Sequence, residues 1–237
     1  MIMHLSPRIM IMYLFISLFS STIQATADED MIISSGHKVN NWLDKIFKER
    51  GYPKSQKEFM KMGFRNLTRP DSEGAQVFKH RSCGGYLFKL YANNNGSIDE
   101  EKVLANRIKG AEVIRQYIED HGYQSYFKVP KKWLYYHSPT SRYILVVQDM
   151  KILNQEKNMK AWKSKKVNEN FLQALAATLK DLGLIDSIYI DNIPFCKDDK
   201  IAFIDTEHYH NSQPVRLFVL DQRLPKHLLP YWQSLRE

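Results

Sequence analysis

The apolar stripe Leu104, Ile108, Ala111, Ile114 and Ile118 constrains this chain more than any other feature. Its three- and four-residue spacing puts all five side chains on one helical face. The helix is expected from roughly Ile98 to His121, closed by Gly122. Before it come two strand-like runs, Ala75 to His80 and Tyr86 to Tyr91, joined by Arg81-Ser82-Cys83-Gly84-Gly85, a hairpin signal. After it come Trp133 to Tyr136 and Tyr143 to Val147, with Ser138 to Ser141 as their turn. The first half is therefore mostly sheet with one long helix.

Elsewhere the pattern is mainly helical. Val39 to Arg50 reads as a helix with Trp42, Leu43, Ile46 and Phe47 on one face, stopped by Gly51 and Pro53; Ser55 to Met62 reads as a second. Residues 28–38 are polar and expected to be flexible, and Thr68 to Gly74 and Ala92 to Ser97 are expected as a loop and a turn. Lys151 to Lys166 is polar and mixed, with Trp162 as its one large anchor. Asn168 to Leu182 is strongly amphipathic through Phe171, Leu172, Leu175, Ala176 and Leu179, and Gly183 closes it. Ile193 to Cys196 and Ile201 to Ile204 form a small hairpin turning at Asp198-Asp199. The tail, with Leu224-Pro225 and Leu229-Pro230, is expected to end in one short helix.

The N-terminus carries an export signature. Arg8 precedes a nearly all-apolar run from Ile9 to Phe19, and Ala25-Thr26-Ala27 supplies a small-residue cleavage site before Asp28. Residues 1–27 are expected to be removed near Ala27, giving a secreted or periplasmic chain with no transmembrane span. The formal charge of +8 includes Arg8. A basic surface favours anionic partners, but the Lys-rich patches at 54–61 and 157–166 read as ordinary solvated faces, and nucleic acid is not expected. Cys83 and Cys196 are the only cysteines, too few for a disulfide scaffold, and lie in separate hairpins. Asn66-Leu67-Thr68 and Asn95-Gly96-Ser97 are sequons that matter only in a eukaryotic host.

The chemistry concentrates around the second hairpin. Asn192 enters it and Asp205 leaves it, thirteen residues later, at the head of Asp205-Thr206-Glu207. An amide and a carboxylate so placed can hold one Mg²⁺ between them. Far upstream, Lys89 sits in the strand Tyr86-Leu87-Phe88-Lys89-Leu90-Tyr91. On these residues and their order, the chain resembles the protein-kinase-like superfamily, including its aminoglycoside- and choline-kinase-like branches.

The resemblance implies an α+β, two-lobed fold with a reduced C-terminal lobe. Residues 28–68 would be a helical extension, 69–150 the N-lobe and 151–237 the C-lobe. Lys89 would bind the phosphates of ATP. Glu112 on the long helix would be its ion-pair partner, with Glu101 and Glu119 as competitors. Gln148 to Met150 would form the hinge that holds the adenine, and Asn192 and Asp205 would be the Mg²⁺ ligands. Asp186 is the candidate general base and Asp191 the other carboxylate nearby, because Ser187 occupies the position five before Asn192. The expected function is Mg-nucleotide binding with phosphoryl transfer to an unknown acceptor. The alternative is a catalytically inactive, pseudokinase-like secreted protein with a protein partner. A two-metal exonuclease reading of Asp205-Thr206-Glu207 fails, because only Asp221 and Glu237 follow it as carboxylates and the motif lies in the wrong part of the chain. His208 and His210 are expected as exposed polar residues.

Overall fold

The computed structural model describes residues 29–68, 75–91 and 99–236. The export signature, Gly74, the turn from Ala92 to Ser97 and Asn95 lie outside the described residues. The class is α+β, built on one five-stranded antiparallel sheet. Its strands are β1 (Phe64–Asn66), β2 (Gln76–His80), β3 (Tyr86–Leu90), β5 (Lys132–His137) and β6 (Arg142–Gln148), in the order β1-β2-β3-β6-β5. Two further short strands, β4 (Phe127–Lys128) and β7 (Ile201–Ala202), pair in parallel.

The sheet is covered on both faces, and β6 records this in its sequence. Ile144-Leu145-Val146-Val147 is a continuous apolar run because its even and odd positions face different layers. Ile144 and Val146, with Phe78, Phe88 and Tyr135, pack under α1 (Lys38–Arg50) and α2 (Gln56–Lys61). Leu145 and Val147, with Leu134 and Tyr91, pack under the long helix α3 (Glu100–Asp120). Lys89 pairs with Leu145 across the ladder, so it belongs to the α3 face with Leu87 and Tyr91.

Helix α3 is about 31 Å long at 1.5 Å per residue. Its first half buries Leu104, Ala105 and Ile108 against the sheet, while Ala111, Ile114 and Ile118 enter a separate, larger cluster. That cluster contains α4 (Gln155–Trp162), α5 (Glu169–Asp181), the second hairpin and the tail around Trp232. The N-terminus of α3 is tied to β6 by Arg142, which donates to both Glu100 oxygens at 3.0 and 2.6 Å. The second hairpin closes through Cys196 N–H to Lys200 O (2.8 Å) and Ile204 N–H to Asn192 O (3.0 Å).

One expectation is corrected, and three segments gain structure that the sequence did not specify. Residues 29–33 are not a free polar leader. Ile33 N–H donates to Leu134 O at 2.8 Å, and Met31 and Ile33 are buried. The edge strand β5 offers unpaired backbone groups, and two apolar side chains hold the segment there. The Lys151–Lys166 stretch contains α4, capped by Asn154 and anchored by buried Trp162. Phe64–Asn66 and Phe127–Lys128 are strands too short to show periodicity. The tail winds through 3-10 turns at Leu217–Arg223 and Lys226–Leu228 before α6 (Leu229–Ser234). Cys83 and Cys196 are free and buried, and burial raises each thiol to about 11. Among the described residues no helix is long and apolar enough to cross a membrane.

Candidate functional site

The α3 face of the sheet ends in two lysines. Lys89 from β3 and Lys132 from β5 project from it by strand alternation. The segment Asp205-Thr206-Glu207 crosses in front of them, delivered by the second hairpin and held by α3. Gly110 makes the approach possible. A Cβ there would lie 1.9 Å from Thr206 O and 2.8 Å from Tyr209 Cδ1. The buried Thr206 hydroxyl donates to Arg107 O at 2.5 Å and accepts from Lys132 Nζ at 2.6 Å.

Arg107, one turn before Gly110, dominates the site. Its guanidinium is buried, reaches Asp205 Oδ1 at 2.5 Å and pairs with Glu207 as well. Burial opposes its charge, but Asp205 and then Glu207 more than compensate and hold its pKa above the ordinary value. Burial alone would raise the Asp205 carboxyl; Arg107, then Lys89 and Lys132, reverse this and hold it below the usual range. Burial lowers Lys89 to about 8 even though Asp205 favours its charged form. Lys132 is pushed well down, by burial first and by Lys89 second. The site is thus three basic groups around two carboxylates, closed by one guanidinium.

Lys89 lies near enough to Asp205 for each to favour the other's charged form. Glu112 is not Lys89's partner. It is exposed on the rim of a crevice of about 130 Å³ beside Arg115, Lys131, Lys132 and Trp133, and the charges acting on Lys89 are Asp205, Arg107 and Glu207. Its competitors are also elsewhere, since Glu101 accepts from Tyr143 Oη at 2.9 Å and Glu119 is exposed. Helical spacing explains the difference: Arg107 borders the buried stripe at Leu104 and Ile108, where a charged residue is easily read as flanking.

Asn192 lies beside the Asp205 strand, but its side-chain amide donates to Asp186 O at 2.9 Å. The Asp186 carboxylate faces His208 Nε2 at 3.4 Å. Ser187 is buried, and its hydroxyl lies 3.4 Å from the Asp205 carbonyl oxygen. At the end of β6, where the resemblance would put a hinge, Gln148 N–H donates to Lys131 O (2.9 Å) and Asp149 N–H to Gly85 O (2.8 Å). Met150 O accepts from Lys128 Nζ at 3.4 Å, and the Asp149 carboxylate binds Lys79 and Lys151 at 2.9 Å each.

These groups do not suit a divalent cation as they stand. Asp205 and Glu207 already share Arg107, with Lys89 and Lys132 alongside, so an added dication would meet a like-charged wall. Among the described residues no group of three or more His, Cys, Asp or Glu side chains is arranged to hold a metal. Arg107 and Lys132 were missed by sequence reasoning. The one available signal for Lys132 was a lysine at the head of an apolar strand in register with Val147. No family model matches the chain, and no curated protein matches it.

Proposed function

We propose that this is an exported, divergent protein-kinase-like protein whose nucleotide cleft is latched shut by its own ion pairs, and which acts as a pseudokinase-like interaction protein. The strand order β1-β2-β3-β6-β5, with a long helix between β3 and β5, supports a two-lobed reading in which β6 runs into a hinge at Gln148 to Met150. The helical and hairpin cluster after the hinge would be the reduced second lobe.

One observation carries the inactive reading. In protein kinases the strand lysine pairs with a glutamate from the long helix, and the aspartate after the hairpin holds Mg²⁺. Here that helix contributes Arg107, which binds the aspartate itself. The charge of the helix residue is reversed, and the metal ligand has an internal cation. Ser187 at the base position agrees, since a buried hydroxyl is no carboxylate base.

The second reading, binding of Mg–ATP by Lys89, Asn192 and Asp205 with phosphoryl transfer, is favoured by the convergence of Lys89 and Asp205 on one cleft. It requires Arg107 to leave Asp205. Incubation with γ-labelled ATP and Mg²⁺ separates the two. The latched reading expects neither phosphate release nor self-labelling above a heat-treated control, whereas label transfer abolished by Asp205→Ala would establish the second.

A further inference from the structure

Away from Arg107, several cations of this chain have carboxylate partners. Lys79 pairs with Asp149, Lys128 with Asp198, Lys160 with Glu156 and Lys166 with Asp199. One crevice instead gathers four cations around a single carboxylate. It has a volume of about 520 Å³ and lies where the last turns of α1 and the end of α2 meet the turn after β2. Lys45 and Arg50 reach it from α1, Lys61 from the end of α2 and Arg81 from the turn. All four are exposed, and among the described residues none of them takes part in an ion pair. Glu49 is the only carboxylate on its wall.

We propose that this crevice is a binding site for a small ligand carrying two or more phosphate groups, either free or as a lipid headgroup. Two helices and a turn place four like charges around one concavity with one carboxylate among them, and a bound anion would relieve their mutual repulsion. A concave, low-dielectric wall also concentrates the field of those charges. Arg50 and Arg81 can each grip a phosphate through two parallel N–H bonds, while Lys45 and Lys61 act as point charges. The volume suits a compact ligand, not a polymer.

The floor is built, not incidental. The half-buried Trp42 indole lies 4.7 Å from the His80 ring, between centroids. His80 Nδ1 accepts from Ser82 N–H at 3.1 Å. Gly63, at φ +94, passes so close that a Cβ there would come 2.9 Å from His80 Nε2. A side chain at this position would fill the floor and displace the imidazole that supports Trp42.

The test is calorimetric titration of the full chain with inorganic tripolyphosphate, beside sedimentation with phosphatidylcholine vesicles with and without phosphatidylinositol bisphosphate. Wild type should bind saturably. Arg50→Gln with Arg81→Gln should weaken binding roughly tenfold or more, as expected for losing two charge-assisted contacts. Lys157→Gln with Lys165→Gln, which removes equal charge elsewhere, should leave affinity unchanged. Saturation by tripolyphosphate without vesicle recruitment identifies a free ligand; recruitment only by bisphosphate vesicles identifies a headgroup. No saturable binding in either arm, or equal losses in the crevice and control variants, would overturn the proposal. All four crevice residues are exposed, so circular dichroism of the variants should match wild type.

Discussion

Gly110→Ala sets two physical effects directly against each other. In an isolated helix, alanine is better than glycine by about 1 kcal/mol, so propensity alone predicts a stabilised α3. The structure predicts the reverse. The added methyl would sit 1.9 Å from Thr206 O, a backbone atom that cannot rotate away, and 2.8 Å from Tyr209 Cδ1. Either α3 or the Asp205-Thr206-Glu207 segment must shift, and overpacking of this kind costs about 1–3 kcal/mol. The shift also strains the buried hydrogen bonds from Thr206 to Arg107 O and from Lys132 to Thr206, each worth about 1 kcal/mol. After the propensity gain, the net loss should be about 2–4 kcal/mol. Urea unfolding followed by circular dichroism should show a midpoint lowered by roughly 1 M or more. Gly84→Ala, where a Cβ meets nothing within 4 Å, should stay within about 0.5 kcal/mol of wild type. An unchanged or raised midpoint for Gly110→Ala would refute the close approach of α3 to the site segment.

Three further predictions follow from the charges. Arg107→Met should cost about 3–5 kcal/mol in chemical denaturation, because it strands Asp205 and Glu207 in a partly buried site; combining it with Asp205→Asn and Glu207→Gln should recover most of that loss. Carbon-13 NMR of reductively methylated protein, with Lys89→Arg for assignment, should show Lys89 titrating near 8, and a value near 10.5 would contradict its burial. Because this folded pKa lies below the unfolded one, the unfolded chain holds more protons between about pH 8 and 10.5, so Lys89 by itself makes stability rise with pH across that window. Burial would raise Asp149, but Lys79 and Lys151 lower it to about 2, so its contribution is complete above about pH 4 and fades as pH falls through 2. Asp149→Asn should therefore cost about 1–2 kcal/mol at pH 7, after allowance for the partly exposed lysines, and markedly less as the pH is lowered toward 2, followed by thermal unfolding.

Where burial was periodic, the sequence was readable. The α3 stripe, the α1 and α5 faces and the β2–β3 and β5–β6 pairs all lie within two or three residues of their expected limits. The second hairpin was legible from its apolar runs and acidic turn. The short strands β1 and β4 were not, because two or three residues carry no period and their pairing is decided by distant partners. The site was half legible. Lys89 and Asp205 stood out as polar residues within or ending apolar strands. Arg107 did not, because arginine beside an apolar helical stripe usually reaches solvent along its aliphatic stem. Only the close passage over Gly110 turns that position inward. Glu112 failed because its place on α3 is exposed on the β5 side, beside Lys131 and Lys132, and the carboxylates that act on Lys89 are Asp205 and Glu207.

The central claim is that Arg107 occupies the charge site on Asp205 that a metal–nucleotide complex would need. Calorimetric titration of ATP into wild type, with and without Mg²⁺, tests it most directly. The account predicts no Mg²⁺-dependent heat of binding at millimolar nucleotide. Saturable, Mg²⁺-dependent binding that disappears in Asp205→Ala would contradict it.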